Sequence, residues 1–434
     1  MYNKLVIIIP PSPWLISDTD LPFLGPLYVS SFLKRYGYSV KVCDLSGIKE
    51  KNWVIPYGDI YAVGGTSPNF PQIKKIVAKL KAREADKLVI VGGVHATVLP
   101  YHVLKNTKAD VCIVGEAELP MLQIMDKGLT QDVEGIIYRQ KKAIKINSLK
   151  LPYKDIDFFG FPDYEAIDYY KYAKSKTFKY LLGDCLEGTV ITARGCPFSC
   201  AFCASTRMWN RQVRYHSVKH VVDEVKFLKE TYGVELIYFV DDTFVLNIAR
   251  VLDLCKELKK LDIKWHCLNR VDRVYEDVLQ AMKESGCIGV VYGFESGDNA
   301  ILKKMGKATT VELAYRAIEL TKKAGLKIRG QLIVGFPGET EESVEHTAEF
   351  IHNAEEVDTF GVHVFQPVPG SAVWKEPEKF GYKVNKTNPD FSKFHTIGKS
   401  GEKLTDNKQV MKWYNYLKEV VKDRNIELQG ASDD

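Results

Sequence analysis

Short apolar blocks recur along the first third of the chain, at 5–9, 39–43, 60–64, 88–91 and 111–114. Blocks of this length bounded by Gly, Pro or polar residues read as buried strands. Between them the apolar spacing changes to i, i+3/i+4, which predicts helices over 27–35 and 73–81. Pro10 closes the first strand and Gly37 ends the first helix. The alternation resumes after 188, with strands predicted at 189–193, 236–240, 264–267, 288–293, 327–334 and 359–365. Helices are predicted over 218–229, 249–259, 275–285, 311–324 and 342–353. Alternating strands and helices predict mostly parallel sheets faced by helices. The chain is thus expected to be α/β: a doubly wound, Rossmann-like unit over 1–150 and an array of six βα units over 187–380. An aromatic-rich connector (151–186) joins them and a short helical extension (381–434) follows.

Composition narrows the classes. At 434 residues, 45% hydrophobic and 26% charged, the chain is long enough for two or three globular domains. A formal charge of +5 without a concentrated basic patch argues against a nucleic-acid partner, and the lysines in 141–150 read as solvated surface. The run at 5–9 is too short for a signal peptide, and no apolar run of about 18 residues exists, so no transmembrane segment is expected. Nine cysteines in this length do not suggest a disulfide framework, which points to a reducing, cytoplasmic setting. Cys43, Cys112, Cys255, Cys267 and Cys287 read as small buried hydrophobes, while Cys185 stays open between that and a role at a reactive centre.

The strongest chemical signal is Arg194-Gly195-Cys196-Pro197-Phe198-Ser199-Cys200-Ala201-Phe202-Cys203. Three thiolates on one tight loop after a strand can hold three irons of a 4Fe–4S cluster and leave the fourth open, whereas electron-carrying clusters usually have four cysteine ligands. A zinc site wants four ligands, and no fourth Cys or His stands at close spacing. The C-x3-C-x2-C spacing resembles the signature of the radical S-adenosylmethionine (SAM) enzymes. That resemblance implies that Cys196, Cys200 and Cys203 ligate the cluster and that the open iron binds the amino and carboxylate groups of SAM. It also implies cleavage of SAM to methionine and a 5′-deoxyadenosyl radical, with Phe202 packed near the adenine.

The six βα units then resemble the partial (β/α)6 barrel of that family, and parallel barrels carry their chemistry at strand carboxyl ends. Gly293-Phe294-Glu295-Ser296-Gly297 resembles the family's G-x-E motif, implying SAM contacts from Gly293, Glu295 and Ser296. Arg270 resembles the residue that meets the SAM carboxylate or ribose; a surface salt bridge is the alternative. Of Asp241-Asp242, Asp242 is assigned to SAM, although this pair either binds hydroxyl groups or caps the next helix. Gly335-Phe336-Pro337-Gly338-Glu339-Thr340 resembles a G-x-P-G-E-T turn whose Gly335 flanks adenine, and Pro367-Val368-Pro369-Gly370 resembles the closing turn. Arg214 reads either as a partner for a cofactor anion or as a surface cation.

In the first unit the strand-end loops are Gly64-Gly65-Thr66-Ser67, Gly92-Gly93-Val94-His95-Ala96-Thr97 and Gly115-Glu116-Ala117-Glu118. None is G-x-G-x-x-G, so a nicotinamide site is weakly supported. Together with Leu24-Gly25-Pro26-Leu27-Tyr28 and Asp44 they resemble the cobalamin-binding domain that precedes the barrel in one large class of radical SAM enzymes. The resemblance implies cobalamin contacts from Ser12, Gly64, Thr66, Ser67, Gly92, Gly93, His95, Gly115 and Glu116. The D-x-H-x-x-G motif is broken, with Gly93 in place of Asp and Val98 in place of Gly, which implies cobalamin bound without a histidine ligand. His95 either touches the corrin ring or holds loop backbone.

The connector carries Phe158, Phe159, Phe161, Tyr164, Tyr169, Tyr170, Tyr172, Phe178 and Tyr180, and reads as a strap or as a lid over a junction cavity. In the tail, Val410, Trp413, Tyr414, Leu417 and Val421 predict one amphipathic helix packed on the barrel, with a membrane-surface role as the outside reading and fraying at 430–434. The expected activity is cobalamin-dependent radical SAM methylation of an unactivated carbon of a small molecule, fed by an external electron donor such as flavodoxin or ferredoxin. Cobalamin-assisted cyclisation or rearrangement is the alternative within the architecture. An iron–sulfur binding or redox-sensing protein without turnover is the alternative from another class. RNA methylthiolation is disfavoured by the lack of a second cysteine set and of a basic appended domain.

Overall fold

The computed structural model describes the chain except residues 1, 14, 16, 142, 149–152, 175–184, 387–388, 394–404 and 431–434. Its first sheet comprises β1 (Lys4–Ile9), β2 (Ser39–Asp44), β3 (Ile60–Gly64), β4 (Leu88–Gly92), β5 (Val111–Ile113), β6 (Ile136–Gln140) and β7 (Ala143–Ile146), in the order β2-β1-β3-β4-β5-β6-β7. The first five strands are parallel, and β6 and β7 add an antiparallel hairpin. Side-chain alternation along β1 serves both faces. Leu5 and Ile7 pack under helices Leu24–Arg35 and Glu118–Lys127, and Val6 and Ile8 under Phe70–Arg83 and Pro100–Asn106. The strand order reverses between β1 and β3, the position where doubly wound sheets open a crevice at their carboxyl ends. The hairpin escaped the sequence pattern because β7 is exposed along its whole length and has no buried face to betray it.

The second sheet contains β8 (Glu187–Val190), then, after two short strands, β11 (Leu236–Phe239), β12 (Lys264–Asn269), β13 (Cys287–Glu295), β14 (Lys327–Val334) and β15 (Thr359–Val364). All six are parallel and neighbours follow chain order, which gives a partial barrel open between β15 and β8. The strand expected over 189–193 divides in two. Asp241 accepts hydrogen bonds from the Thr192 N–H (2.6 Å), the Thr192 hydroxyl and the Ala193 N–H (3.1 Å). These bonds end β8 and release β9 (Ala193–Arg194), which pairs antiparallel with β10 (Arg214–Tyr215).

The described part of the connector is a strap. Phe158 and Phe159 pack on Phe32 of the first unit. The Tyr172 hydroxyl donates to Asp44 (2.7 Å), while that of Tyr164 reaches buried Glu224 of the second unit (2.6 Å). Asp157 accepts from the Ser217 N–H (3.1 Å) and lies 2.8 Å from His216 Nδ1, so it anchors the strap at the start of helix Val218–Tyr232. Phe178 and Tyr180 lie outside the described residues. Helix Lys408–Gly430 seals the outer face of β14 and β15 with Val410, Trp413, Tyr414, Leu417 and Val420. Val420 takes the buried position expected of Val421, which is only partly buried. Phe391, ahead of that helix, packs against Phe70, His95 and His102, so the extension touches both units. Among the described residues no helix is long and apolar enough to cross a membrane.

Candidate functional site

The cysteine loop leaves β9 through Gly195 at φ +113°, where an added Cβ would fall 2.0 Å from the Gln212 carbonyl oxygen; glycine is the residue that fits. The Ala201 N–H donates to the Met305 carbonyl (2.8 Å) and its own carbonyl accepts from Val373 N–H (3.1 Å), which clamps the middle of the loop. Cys200 is buried, and Cys196 and Cys203 are half-buried. The Arg270 guanidinium lies 3.7 Å over the Phe198 ring and donates to Cys200 Sγ (3.5 Å). It also pairs with Asp272 (2.8 Å) and donates to the Lys307 carbonyl (2.6 Å). Burial pushes the Cys203 thiol up to about 11 and raises that of Cys196. None of the three sulfurs is in a disulfide, and they do not all lie within 4.8 Å of one another. A single tetrahedral zinc ion at ordinary Zn–S lengths would hold them about 3.8 Å apart. This wider donor set fits a cluster rather than one ion. Cys185 is buried at the amino end of β8, the far side of the barrel from the loop.

At the end of β13, Glu295 adopts φ +70° and pairs with Lys307 (2.6 Å); both side chains are buried. An added Cβ on Gly293 would fall 2.4 Å from Glu295 Oε1 and 3.0 Å from Lys307 Nζ. Lys307 Nζ also lies 5.9 Å from the Phe202 ring centre, which joins this pair to the cysteine loop. Sequence reasoning missed Lys307: it sits in the loop after helix Asn299–Lys304, and no local pattern marks it. Asp242 accepts from the Ser205 hydroxyl (3.0 Å), is solvent-accessible and lines the cavity described below; desolvation by the surrounding protein raises its pKa. Phe202, Arg270, Gly293 and Glu295 therefore gather around the thiols, with Asp242 beside them. Two further residues expected at SAM make other contacts. The Ser296 hydroxyl accepts from Asp298 N–H and lies 3.4 Å from Thr347 Oγ1, tying down the next turn. Gly335 gives its N–H to Glu339 and presses against Val410 of the C-terminal helix, where an added Cβ would fall 2.5 Å away.

A mostly apolar cavity of about 370 Å³ lies between the carboxyl ends of the two sheets. The first unit contributes Gly64, Thr66, Gly92, Gly93, Gly115 and Glu116, and the second contributes Arg194, Gly195, Met208, Trp209 and Asp242. Gly93, at φ +86°, brings its backbone so close to Gly65 that an added Cβ would lie 2.8 Å from that residue's N and O atoms. Bare glycine backbone at the strand-order reversal suits a broad, flat ligand, and the residues fit a corrin ring in this respect. The expected Ser12, Ser67 and His95 do not line the cavity. Ser12 Oγ accepts from Asn69 Nδ2 (3.0 Å). His95 is fully buried between Phe70 and Phe391, 3.0 Å from Ser67 Oγ and 3.4 Å from His102 Nδ1. Burial lowers its pKa to about 3, so it is a neutral histidine holding its loop.

A buried ion network crosses the cavity floor. Arg194, next to the cysteine loop, donates to Glu116 (2.6 Å) and Glu118 (2.9 Å), and Arg214 donates to both oxygens of Glu116 (2.8 and 3.0 Å). Arg194 also stacks 4.6 Å over Tyr28. Arg214 is thus neither a surface cation nor a free partner for a cofactor anion: buried with its carboxylate, it fastens one unit to the other. The Glu116 carboxylate is likewise committed to the two guanidinium groups.

Residues 190–351 match the Radical SAM superfamily and residues 17–125 match the B12 binding domain. An uncharacterized methyltransferase of Pyrococcus horikoshii is 30% identical over 86% of this chain and 82% of its own length. Cytidylyl-2-hydroxyethylphosphonate methyltransferase of Streptomyces wedmorensis is 26% identical over 92% of this chain and 85% of its own. Anaerobic magnesium-protoporphyrin IX monomethyl ester cyclase of Rubrivivax gelatinosus is 28% identical over 85% and 68%. Among solved structures, the cobalamin-dependent S-adenosylmethionine radical enzyme OxsB superposes with a TM-score of 0.72 at 17% identity, covering 98% of this chain and 72% of its own. The radical S-adenosylmethionine methyltransferase TsrM of Kitasatospora setae gives 0.68 at 17% identity, covering 89% and 76%.

Proposed function

The chain belongs to the radical SAM superfamily, among the members that carry a B12-binding domain ahead of the barrel, and on that premise we propose that it methylates an unactivated carbon of a small molecule. Its cofactors are a 4Fe–4S cluster, S-adenosylmethionine and cobalamin. Together these supply a hydrogen-abstracting radical and a transferable methyl group. The observation that carries the reading is one cavity walled on one side by the glycine loops of the first unit and on the other by Arg194, Gly195 and Asp242 beside the cysteine loop. A ligand on the glycine loops would face the reactive centre directly.

In this reading Cys196, Cys200 and Cys203 hold the cluster. Arg270, held in place by Asp272 and the Phe198 face, offsets the negative charge of the Cys200 thiolate. Glu295, fixed by Lys307 and given room by Gly293, receives an ammonium group at the rim of β13. Asp242 is placed to accept hydroxyl donors from within the cavity. Gly64, Thr66, Gly92, Gly93 and Gly115 cradle the corrin. The apolar wall around Met208 and Trp209 excludes water from a radical that would otherwise be quenched. The chemistry needs a reductant; a flavodoxin or ferredoxin in the cytoplasm is the donor proposed.

Kinship with a magnesium-protoporphyrin ester cyclase keeps cobalamin-assisted cyclisation as the second reading. Anaerobic titration of the cluster-reconstituted protein with cobalamin, followed by absorbance, is the test. Saturable binding with a base-off spectrum, and a product heavier by one methyl group, is the expected outcome. Binding with a product of unchanged methyl count would favour cyclisation, and no binding would overturn the methyl-transfer reading. C200A is expected to lose both cluster assembly and SAM cleavage.

A further inference from the structure

The concave face of the barrel is polar and half-open. Along β14 and β15 burial alternates strictly: Ile328, Leu332, Val334, Phe360 and Val362 are buried in the core beneath the helices. The intervening residues, Arg329, Gln331, Thr359 and His363 among them, stay only partly covered. Alternate residues of a strand face opposite sides, so these line the inside of the barrel. Gln331 Oε1 lies 2.6 Å from His363 Nε2. One step higher on the same face, Ile333 packs against the same apolar cluster as Phe202 of the cysteine loop. The concave face of β14 is therefore a continuous track from Arg329 up to the cluster loop, about 13 Å of strand at 3.3 Å per residue.

Arg329 stands out on this track. Among the described residues its guanidinium makes no ion pair within 4.0 Å and no hydrogen bond, and its Nε is buried without a partner. Its register neighbour Thr359 has a buried hydroxyl that is equally unpartnered. Glu187, an acid in the same lumen, lies 3.3 Å from His266 Nε2 through one oxygen, and its Oε2 is buried without a hydrogen bond; it makes no ion pair with Arg329 within 4.0 Å. Arg329 acts electrostatically on Tyr238 and His363, alongside Glu187 at Tyr238 and Glu295 at His363, so its charge stands in the lumen between β11 and β15 with carboxylates at longer range. The guanidinium is partly covered, its Nε lacks a hydrogen-bond partner, and its other donors are left open to the lumen; an unmade hydrogen bond at a buried donor is costly. A planar fork of donors beside a free hydroxyl matches the geometry of a carboxylate or phosphonate.

We propose that Arg329 and Thr359 bind an anionic group of the substrate, a carboxylate or a phosphonate, low in the barrel, so that the rest of the molecule extends along Gln331 toward Phe202. This names the substrate class for the radical SAM reading and rests on it. The test is anaerobic calorimetry of the cluster-loaded full-length protein with methylphosphonate, with propionate and with neutral propionamide. One of the two anions should bind saturably, and which one identifies the group; propionamide should not bind. R329Q should weaken the anion at least tenfold, and R329K less. Failure of both anions to bind, or equal affinity in R329Q, would overturn the proposal. A melting measurement separates recognition from support: with no contact to lose, R329Q should melt at or above the wild-type temperature, and a clear drop would mean a structural arginine and refute the assignment. Formation of 5′-deoxyadenosine by the wild-type holoenzyme reports on the radical SAM reading separately, since it needs no anion at Arg329.

Discussion

Replacing Arg194 with Met tests how the two units are joined. Arg194 is 7% exposed, and its carboxylate partners Glu116 and Glu118 are 14% and 5% exposed, at 2.6 and 2.9 Å. At an effective dielectric of about 20 each attraction is worth about 6 kcal/mol gross, most of it offset by desolvation. Removing one member of a buried pair typically costs about 3–5 kcal/mol, because the other charge is left uncompensated. Arg214 still holds Glu116 at 2.8 Å, so the stranded group is Glu118, and the lower end of that range, about 3 kcal/mol, is expected. That amounts to roughly a hundredfold shift toward separated units. Urea unfolding should show it in the first transition, since a chain of two sheets need not unfold in one step. E118Q alone should cost less, because Arg194 keeps Glu116. The double variant R194M/E118Q should recover much of the loss, since it removes the stranded charge. A first transition unchanged in R194M, or a double variant no better than R194M, would refute the charge argument. In the latter case the loss would belong to packing on Tyr28.

Two further outcomes follow from single contacts. G293A places a methyl group 2.4 Å from Glu295 Oε1; it should displace the Glu295–Lys307 pair and weaken SAM binding at least tenfold by equilibrium dialysis, with little change in cluster absorbance. Burial holds the Glu224 carboxyl raised to about 8, opposed by its hydrogen bond with Tyr164. Its contribution is complete below the ordinary value near 4.5 and is lost as pH rises through about 8. E224Q should therefore match wild type near pH 4.5 in a melting series and exceed it increasingly toward pH 8; a deficit that grows with pH would sink this account.

Local signals carried much of the architecture. The βα alternation, the strand-end glycines and the cysteine spacing are all short-range features, and each depends on backbone geometry that a few neighbouring residues dictate. Gly195, Gly93 and Gly293 could be marked in advance because close approach of backbone leaves no room for a side chain, whatever lies opposite. What lies opposite was not legible. Arg194 and Arg214 each meet a carboxylate about eighty or more residues away, and Lys307 meets Glu295 across a helix. A charge in sequence does not reveal whether water or a buried partner will solvate it. His95 shows the same limit: its loop faces the correct end of the sheet, but packing by Phe70 and by Phe391, nearly three hundred residues later, turned its ring into the core. Ser296 and Gly335 sit on motifs at the barrel rim, and the motifs alone did not reveal that the Ser296 hydroxyl meets Thr347 and the Gly335 N–H meets Glu339. Motifs bring backbone to the right place; which side chains then face the ligand depends on contacts between elements far apart in the chain, where burial and charge pairing set the orientation.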